Sequence, residues 1–333
     1  MPSIIQVNDV CKSFRVTRRR PGLRGTLVNL IAPQYQEVRA VDHISFTLRE
    51  GELVGYLGPN GAGKSTTIKM LTGLLVPSSG ELLVDGFTPW KDRQRYVAHI
   101  GAVFGQRTTL WWDLPVIESF ELLQPMYRVP ADRFRRNLNE FVDLLEMGDF
   151  INQPVRALSL GQRMRADLCA ALLHEPRLVF LDEPTIGLDV VAKERIRQFI
   201  LHMNRERGVT VLLTTHDLSD VERLCERVMI LDHGRLLFDG RLSDLNERFE
   251  SDWFLVVSFA EDYEDVSLPG LPPPHREDHT AVYRFDHRQV GSAELIQQLL
   301  PRFHIYDIEV RRPAVEETVR RIYEERLLLE PAG

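Results

Sequence analysis

The run Gly58-Pro59-Asn60-Gly61-Ala62-Gly63-Lys64-Ser65-Thr66 constrains this chain more than any other segment. It satisfies the pattern G-x-x-x-x-G-K-[ST], which carries meaning only where a strand ends and a helix begins. Both neighbours are present: residues 52–57 read as a short apolar strand, and 66–75 as a helix stopped by Pro77. The glycines let successive backbone N–H groups turn inward around phosphates, and the helix start adds its own donors and dipole. In that geometry Lys64 reaches the β- and γ-phosphates of a nucleoside triphosphate, and the Ser65 hydroxyl meets Mg2+. The motif predicts ATP and Mg2+ as ligands and an α/β fold to hold them.

A second segment has matching chemistry. Leu178-Val179-Phe180-Leu181-Asp182-Glu183 is an apolar strand ending in two acids. A buried strand gains nothing from terminal carboxylates unless they meet a cation or a polar substrate. Asp182 fits the magnesium role, and Glu183 fits the carboxylate that polarises an attacking water. His216 follows the apolar strand at 209–214. It either reports a γ-phosphate or, with Asp217, caps the next turn.

Strands at 4–16 and 38–48 open the chain, the second with apolar alternation at Ile44, Phe46 and Leu48. Between them lies an insert at 18–37, basic in its first half and apolar in its second. It reads either as a hairpin loop with a short core-facing helix or as an element lying against a membrane partner. Further strands at 81–84, 179–181, 209–214, 228–231 and 236–238 alternate with helices at 160–173, 194–207 and 221–225, which implies a largely parallel sheet. A helical stretch from about 116 to 147, broken near Val129-Pro130, interrupts that alternation. The expected fold class is therefore α/β: a P-loop ATPase core with a largely parallel sheet, an antiparallel N-terminal β part and a helical subdomain at about 107–165. Residues 1–245 form this first domain. Residues 246–333 read as a small α+β module, with strands at 253–259, 281–285 and 304–310, a helix at 290–300, and a terminal helix carrying Val315, Val319, Ile322 and Arg326.

Composition removes several other classes. With 41 basic against 48 acidic residues the net charge is -7, so no general nucleic-acid binding is expected. Cys11, Cys169 and Cys225 form neither a disulfide framework nor a zinc site, which favours a reducing compartment. No apolar stretch reaches 18 residues and no signal peptide opens the chain, so any membrane work requires a partner.

Taken in order, these motifs resemble the nucleotide-binding subunit of an ATP-binding cassette (ABC) transporter, over residues 4–240. The segment Leu158-Ser159-Leu160-Gly161-Gln162 before a helix is similar to the family's hallmark, with leucine at 160 where glycine is usual. The resemblance implies that Ser159, Gly161 and Gln162 contact ATP held by a second copy, so that two head-to-tail chains share two composite sites. It also implies that Gln106 stands near magnesium and water, that Asp189 lies at the dimer interface, and that Phe14 stacks on adenine, with Tyr35 and Phe46 as other candidates. Glu183 and His216 take the water-activating and γ-phosphate-sensing roles.

The finer resemblance is to bacterial ABC-2-type exporters, through residues 67–75, 181–189, Asp239-Gly240 and the appended module. It places the chain on the cytoplasmic face of the inner membrane, held there by a transmembrane permease. The segment Arg107-Thr108-Thr109-Leu110-Trp111-Trp112-Asp113-Leu114-Pro115, just after Gln106, is the expected permease contact, since adjacent tryptophans suit an interface. The insert at 18–37 is a candidate lipid contact. An importer ATPase, or a cassette ATPase of DNA repair or translation, remains the alternative.

Overall fold

A computed structural model describes residues 3–17, 35–105, 107–249 and 252–311. Gln106, residues 18–34 of the insert and the expected terminal helix lie outside these residues. The chain divides into two compact units, Met1–Asp239 and Gly240–Gly333.

In the first unit, β1 (Ser3–Thr17) and β2 (Tyr35–Arg49) pair antiparallel. On β2, Val41, Ile44, Phe46 and Leu48 are buried, while the residues between the last three face solvent as the strand period requires. The wholly buried β3 (Leu53–Leu57) runs through the phosphate loop into α1 (Lys64–Leu71), and β4 (Ser79–Val84) returns to the other edge of β1. After the single turn α2 (Arg93–Tyr96) comes β5 (Ile100–Phe104). The helical subdomain follows as α3 (Val116–Met126), α4 (Ala131–Leu144) and α5 (Leu160–Leu172). Pro130 ends one helical stretch and stands just before the next, where its missing N–H costs nothing.

The remaining elements are β6 (Leu178–Asp182), α6 (Val190–Arg207), β7 (Thr210–Thr215), α7 (Leu218–Leu224), β8 (Arg227–Asp232) and β9 (Arg235–Arg241). The strands make one six-stranded sheet in the order β5-β6-β7-β3-β8-β9, with the first five parallel. Helices cover such a sheet, so its central strands are apolar along their whole length. β8 and β9 meet at His233-Gly234, both with positive φ (45° and 80°), the conformation that suits a two-residue hairpin.

β5 is a strand that the sequence reading does not anticipate. Gly101 interrupts its short apolar run and looks like a breaker. In the structure a Cβ at Gly101 would stand 2.4 Å from the Ala171 carbonyl, so the glycine lets α5 lie directly on the sheet.

The second unit contains α8 (Leu242–Phe249), β10 (Asp252–Phe259), β11 (His275–Glu277), β12 (Thr280–Asp286), α9 (Ser292–Leu299) and β13 (Ile305–Arg311). Its antiparallel sheet has the order β11-β12-β10-β13. Leu255, Val257, Phe259, Ala281, Tyr283 and Phe285 form its core with Leu295 and Leu299 of α9.

Candidate active site

Parallel strands put their C-terminal ends along one edge, and ligands of open α/β sheets bind at that edge. Here β3 ends in the phosphate loop, β5 in Gly105, β6 in Asp182 and Glu183, and β7 just before His216. Asn60, Ser65, Lys69, Phe104, Arg107, Asp182, Glu183 and His216 line a common cavity of about 550 Å³.

Glycine is required in the loop itself. Gly63 has φ 107°, and a Cβ there would lie 2.4 Å from the Ala40 carbonyl oxygen. The first intrahelical bond of α1 runs from Thr67 N–H to Gly63 O. The Lys64, Ser65 and Thr66 N–H groups therefore have no acceptor within the helix, as at any helix start. Lys64 is only 6% exposed. Its Nζ donates to the carbonyls of Gly58 (2.6 Å) and Pro59 (3.2 Å) and lies 3.9 Å from Glu183 Oε1. Burial lowers the pKa of this ammonium, opposed by the charge of Glu183 and then of Asp182.

Asp182 Oδ1 accepts from Ser65 Oγ at 3.3 Å and from Thr214 Oγ1 at 2.5 Å. Two hard oxygen donors side by side, next to a second carboxylate, match the ligand chemistry of Mg2+. Glu183 has a left-handed backbone, φ 56°, which is uncommon for a residue with a side chain. Its N–H donates to the Thr214 carbonyl at 3.0 Å. Its Oε2 lies 2.6 Å from His216 Nδ1. The cap of α7 falls to Asp217, whose side chain accepts from Ser219 N–H at 3.1 Å. His216 is thus left facing Glu183 rather than serving the turn. Burial opposes ionisation of Asp217, but the Lys193 ammonium and the Ser219 hydroxyl outweigh it and hold its carboxyl at about 2.

Phe14, Phe46 and Tyr35 are not among the residues that line this cavity. Phe14 of β1 pairs with Val38 of β2, under the Lys12 ammonium at 5.2 Å. Phe46 is buried against Tyr56 with ring centroids 5.9 Å apart, so it belongs to the core and not to an adenine platform. Tyr35 is exposed. Gln106 is outside the described residues.

Ser159 and Gln162 close a reciprocal cap on α5. Ser159 Oγ accepts from Gln162 N–H at 3.2 Å, and Gln162 Oε1 accepts from Ser159 N–H at 2.9 Å. The Gln162 side chain is therefore engaged within its own helix. The Leu160 and Gly161 N–H groups are the first-turn donors that this cap does not use. Leu160 packs its Cδ2 over Gly187, where a Cβ would be 3.2 Å away, and Gly161 faces Ala192. Asp189 caps α6 by accepting from Ala192 N–H at 2.8 Å. Replacing Ser159 by Ala is expected to cost about 1 kcal/mol of stability. A melting curve checks that loss.

Asp167 escapes the sequence reading, although it is an acid set among the apolar residues of α5. It is buried, and its Oδ1 accepts from Thr108 Oγ1 and Thr109 N–H, each at 2.9 Å. Burial raises its pKa against those hydrogen bonds. It pins the segment after Gln106 to the helix. Trp111 and Trp112, in that segment, are 38% and 50% exposed.

A phosphate loop, a carboxylate pair at the end of a strand one place removed in the same sheet, and a capped helix with unused first-turn donors define the class: a P-loop ATPase of the cassette type. The chain belongs to the ABC transporter family, whose profile, described as "ABC transporter", matches residues 41–186. It is 37% identical over 217 residues to the uncharacterized ABC transporter ATP-binding protein YhcH of Bacillus subtilis, covering 65% of this chain and 70% of that one. The Nod factor export ATP-binding protein I of Ralstonia nicotianae is 34% identical over 232 residues, covering 68% and 70% respectively. Among solved structures, the dimeric post-hydrolysis state of the ATP-binding cassette MJ0796, bound to ADP and Pi, superposes with a TM-score of 0.60 at 28% identity. It covers 72% of this chain and 98% of that one. The protein is an ATPase.

Proposed function

We propose that this ATPase drives export of a substrate through a separate transmembrane permease, as one half of a head-to-tail dimer with two composite sites. One observation carries the dimeric reading. The cavity at the sheet edge is lined from the phosphate loop, Asp182, Glu183 and His216, while the capped start of α5 packs on Gly187 and Ala192 outside that cavity. A helix N-terminus with unused donors suits a phosphate, and a second chain supplies one.

In this reading the phosphate loop and Lys64 hold the β- and γ-phosphates. Glu183 takes a proton from the attacking water, His216 contacts the γ-phosphate, and Asp189 lies at the dimer contact. Ser65 and Asp182 would hold Mg2+, which neutralises phosphate charge when bound. The partly exposed Trp111 and Trp112 are the proposed permease contact. Among the described residues no helix is long and apolar enough to cross a membrane. Export is favoured over import by the relative whose name records Nod factor export.

Purification from detergent-solubilised membranes tests the proposal. Recovery of a multi-span protein with this chain is the expected result. Full association with soluble partners alone would exclude transport, and a co-purifying substrate-binding protein would turn the direction to import.

A further inference from the structure

Behind the catalytic pair, β7, α6 and α7 enclose a charged cluster that takes no part in the chemistry above. Asp220 is fully buried on α7, and Arg197, Thr185 and Thr215 around it are almost as deeply covered. Asp220 Oδ1 accepts from Arg197 Nε at 2.6 Å, and Arg197 Nη2 donates onward to Ser219 Oγ at 2.8 Å. The other carboxylate oxygen, Oδ2, accepts a short hydrogen bond from Thr185 Oγ1. It also lies 3.5 Å from Thr215 Oγ1, at the outer limit of a hydrogen bond. Thr185 stands two residues after Glu183, and Thr215 immediately before His216.

We propose that Asp220 is a positioning residue that holds Glu183 against His216, acting mainly through the Thr185 hydroxyl. The proposal rests on the reading of Glu183 as the water-activating carboxylate. Glu183 occupies a left-handed backbone conformation, and such conformations persist only where the surroundings over-determine them. On one side the turn is held by Glu183 N–H on the Thr214 carbonyl. On the other, Thr185 Oγ1 is the fixed point, and it is tied to a carboxylate whose own place is set by Arg197. A buried charge is stable only when paired and hydrogen-bonded, so the Arg197–Asp220 pair cannot shift without losing its partners. The same carboxylate sits on the helix that starts directly after His216. It therefore ties the turn carrying Glu183 to the segment carrying His216, which keeps the 2.6 Å contact between the two side chains.

Thr185→Val in the full-length chain tests this, because it removes the hydroxyl, keeps the side chain's shape and leaves the Arg197–Asp220 pair intact. The expected result is a fall in kcat of about tenfold, the scale at which slight misplacement of a reacting group is felt. KM should stay within about twofold, since the ground-state phosphate contacts are untouched. Thr185→Ser restores the hydroxyl and should restore the rate. In a Glu183→Gln background, Thr185→Val should change the residual turnover by less than about twofold, because the group it positions is already gone. An unchanged kcat in Thr185→Val, or an equal fall in both backgrounds, overturns the proposal. A full-rate Glu183→Gln chain would remove the assignment of Glu183 itself, a different failure that the same set of variants identifies.

Discussion

Glu183→Gln is expected to leave ATP binding intact, cut turnover about a hundredfold or more, and trap a dimer. The size follows from the part a positioned general base plays in the transition state. Glutamine keeps the shape of the side chain and can still meet the His216 ring, but it cannot take a proton from water. The affinity for ATP should survive because the phosphate loop, Lys64 and Ser65 are unchanged. ATP should be held somewhat more tightly once the Glu183 charge, 3.9 Å from Lys64 Nζ, no longer competes with phosphate for the ammonium.

With hydrolysis blocked, each γ-phosphate would stay in place as a component of the proposed dimer contact, so association should follow the ATP and chain concentrations without being undone by turnover. Phosphate release measures the first effect, and light scattering with and without ATP measures the second. A monomeric variant that hydrolyses ATP at the normal rate would sink the assignment.

Much of the fold and part of the site were legible in the sequence, for physical reasons that differ from element to element. The phosphate loop is read directly because its glycines serve backbone conformations that other residues resist, as the φ of 107° at Gly63 shows. The parallel strands are read from apolar runs that are buried on both faces. Asp182 and Glu183 stand out because an acid is costly at the end of such a strand. What was not legible depends on contacts between distant segments. Gly101 looks like a break in β5 until Ala171 is seen lying on it. The sequence pattern starts α6 at residue 194, yet the helix begins at Val190, which is 81% exposed. An exposed Val190-Val191 pair gives no amphipathic signal, and the Asp189 cap sets the boundary instead. Phe14 and Phe46 are aromatics on neighbouring strands; the alternation of Ile44, Phe46 and Leu48 already sets Phe46 on the core side, whereas nothing in the period of β1 shows that Phe14 stays partly exposed. Asp167 and Asp220 are buried acids on helices, and their partners come from elements far away in sequence. Periodicity carries no record of such pairings.

Lys64→Ala is expected to lower ATP affinity by about ten- to a hundredfold, the loss of one to two charge-assisted hydrogen bonds to phosphate. The structure shows why no neighbour substitutes for this ammonium. Lys64 Nζ is held between the Gly58 and Pro59 carbonyls and the Glu183 carboxylate. Lys69 and Arg107 are basic residues that line the cavity, but Lys69 is exposed more than a helical turn further on, and Arg107 belongs to the segment after β5. Truncation also leaves Asp182 and Glu183 facing the incoming phosphates without that positive charge between them, which adds repulsion to the lost contacts. The fold should survive, since α1 retains its buried Ile68, Met70 and Leu71 and alanine favours the helix. Stability therefore separates the two effects. Saturating ATP should raise the melting temperature of the parent chain, because a ligand present at a hundred times its Kd stabilises by about 2.7 kcal/mol. The Lys64→Ala chain should melt near the parent's ligand-free temperature and respond little to the same nucleotide concentration. Calorimetric titration gives the affinity directly, and an unchanged Kd would count against the phosphate-binding role of the lysine.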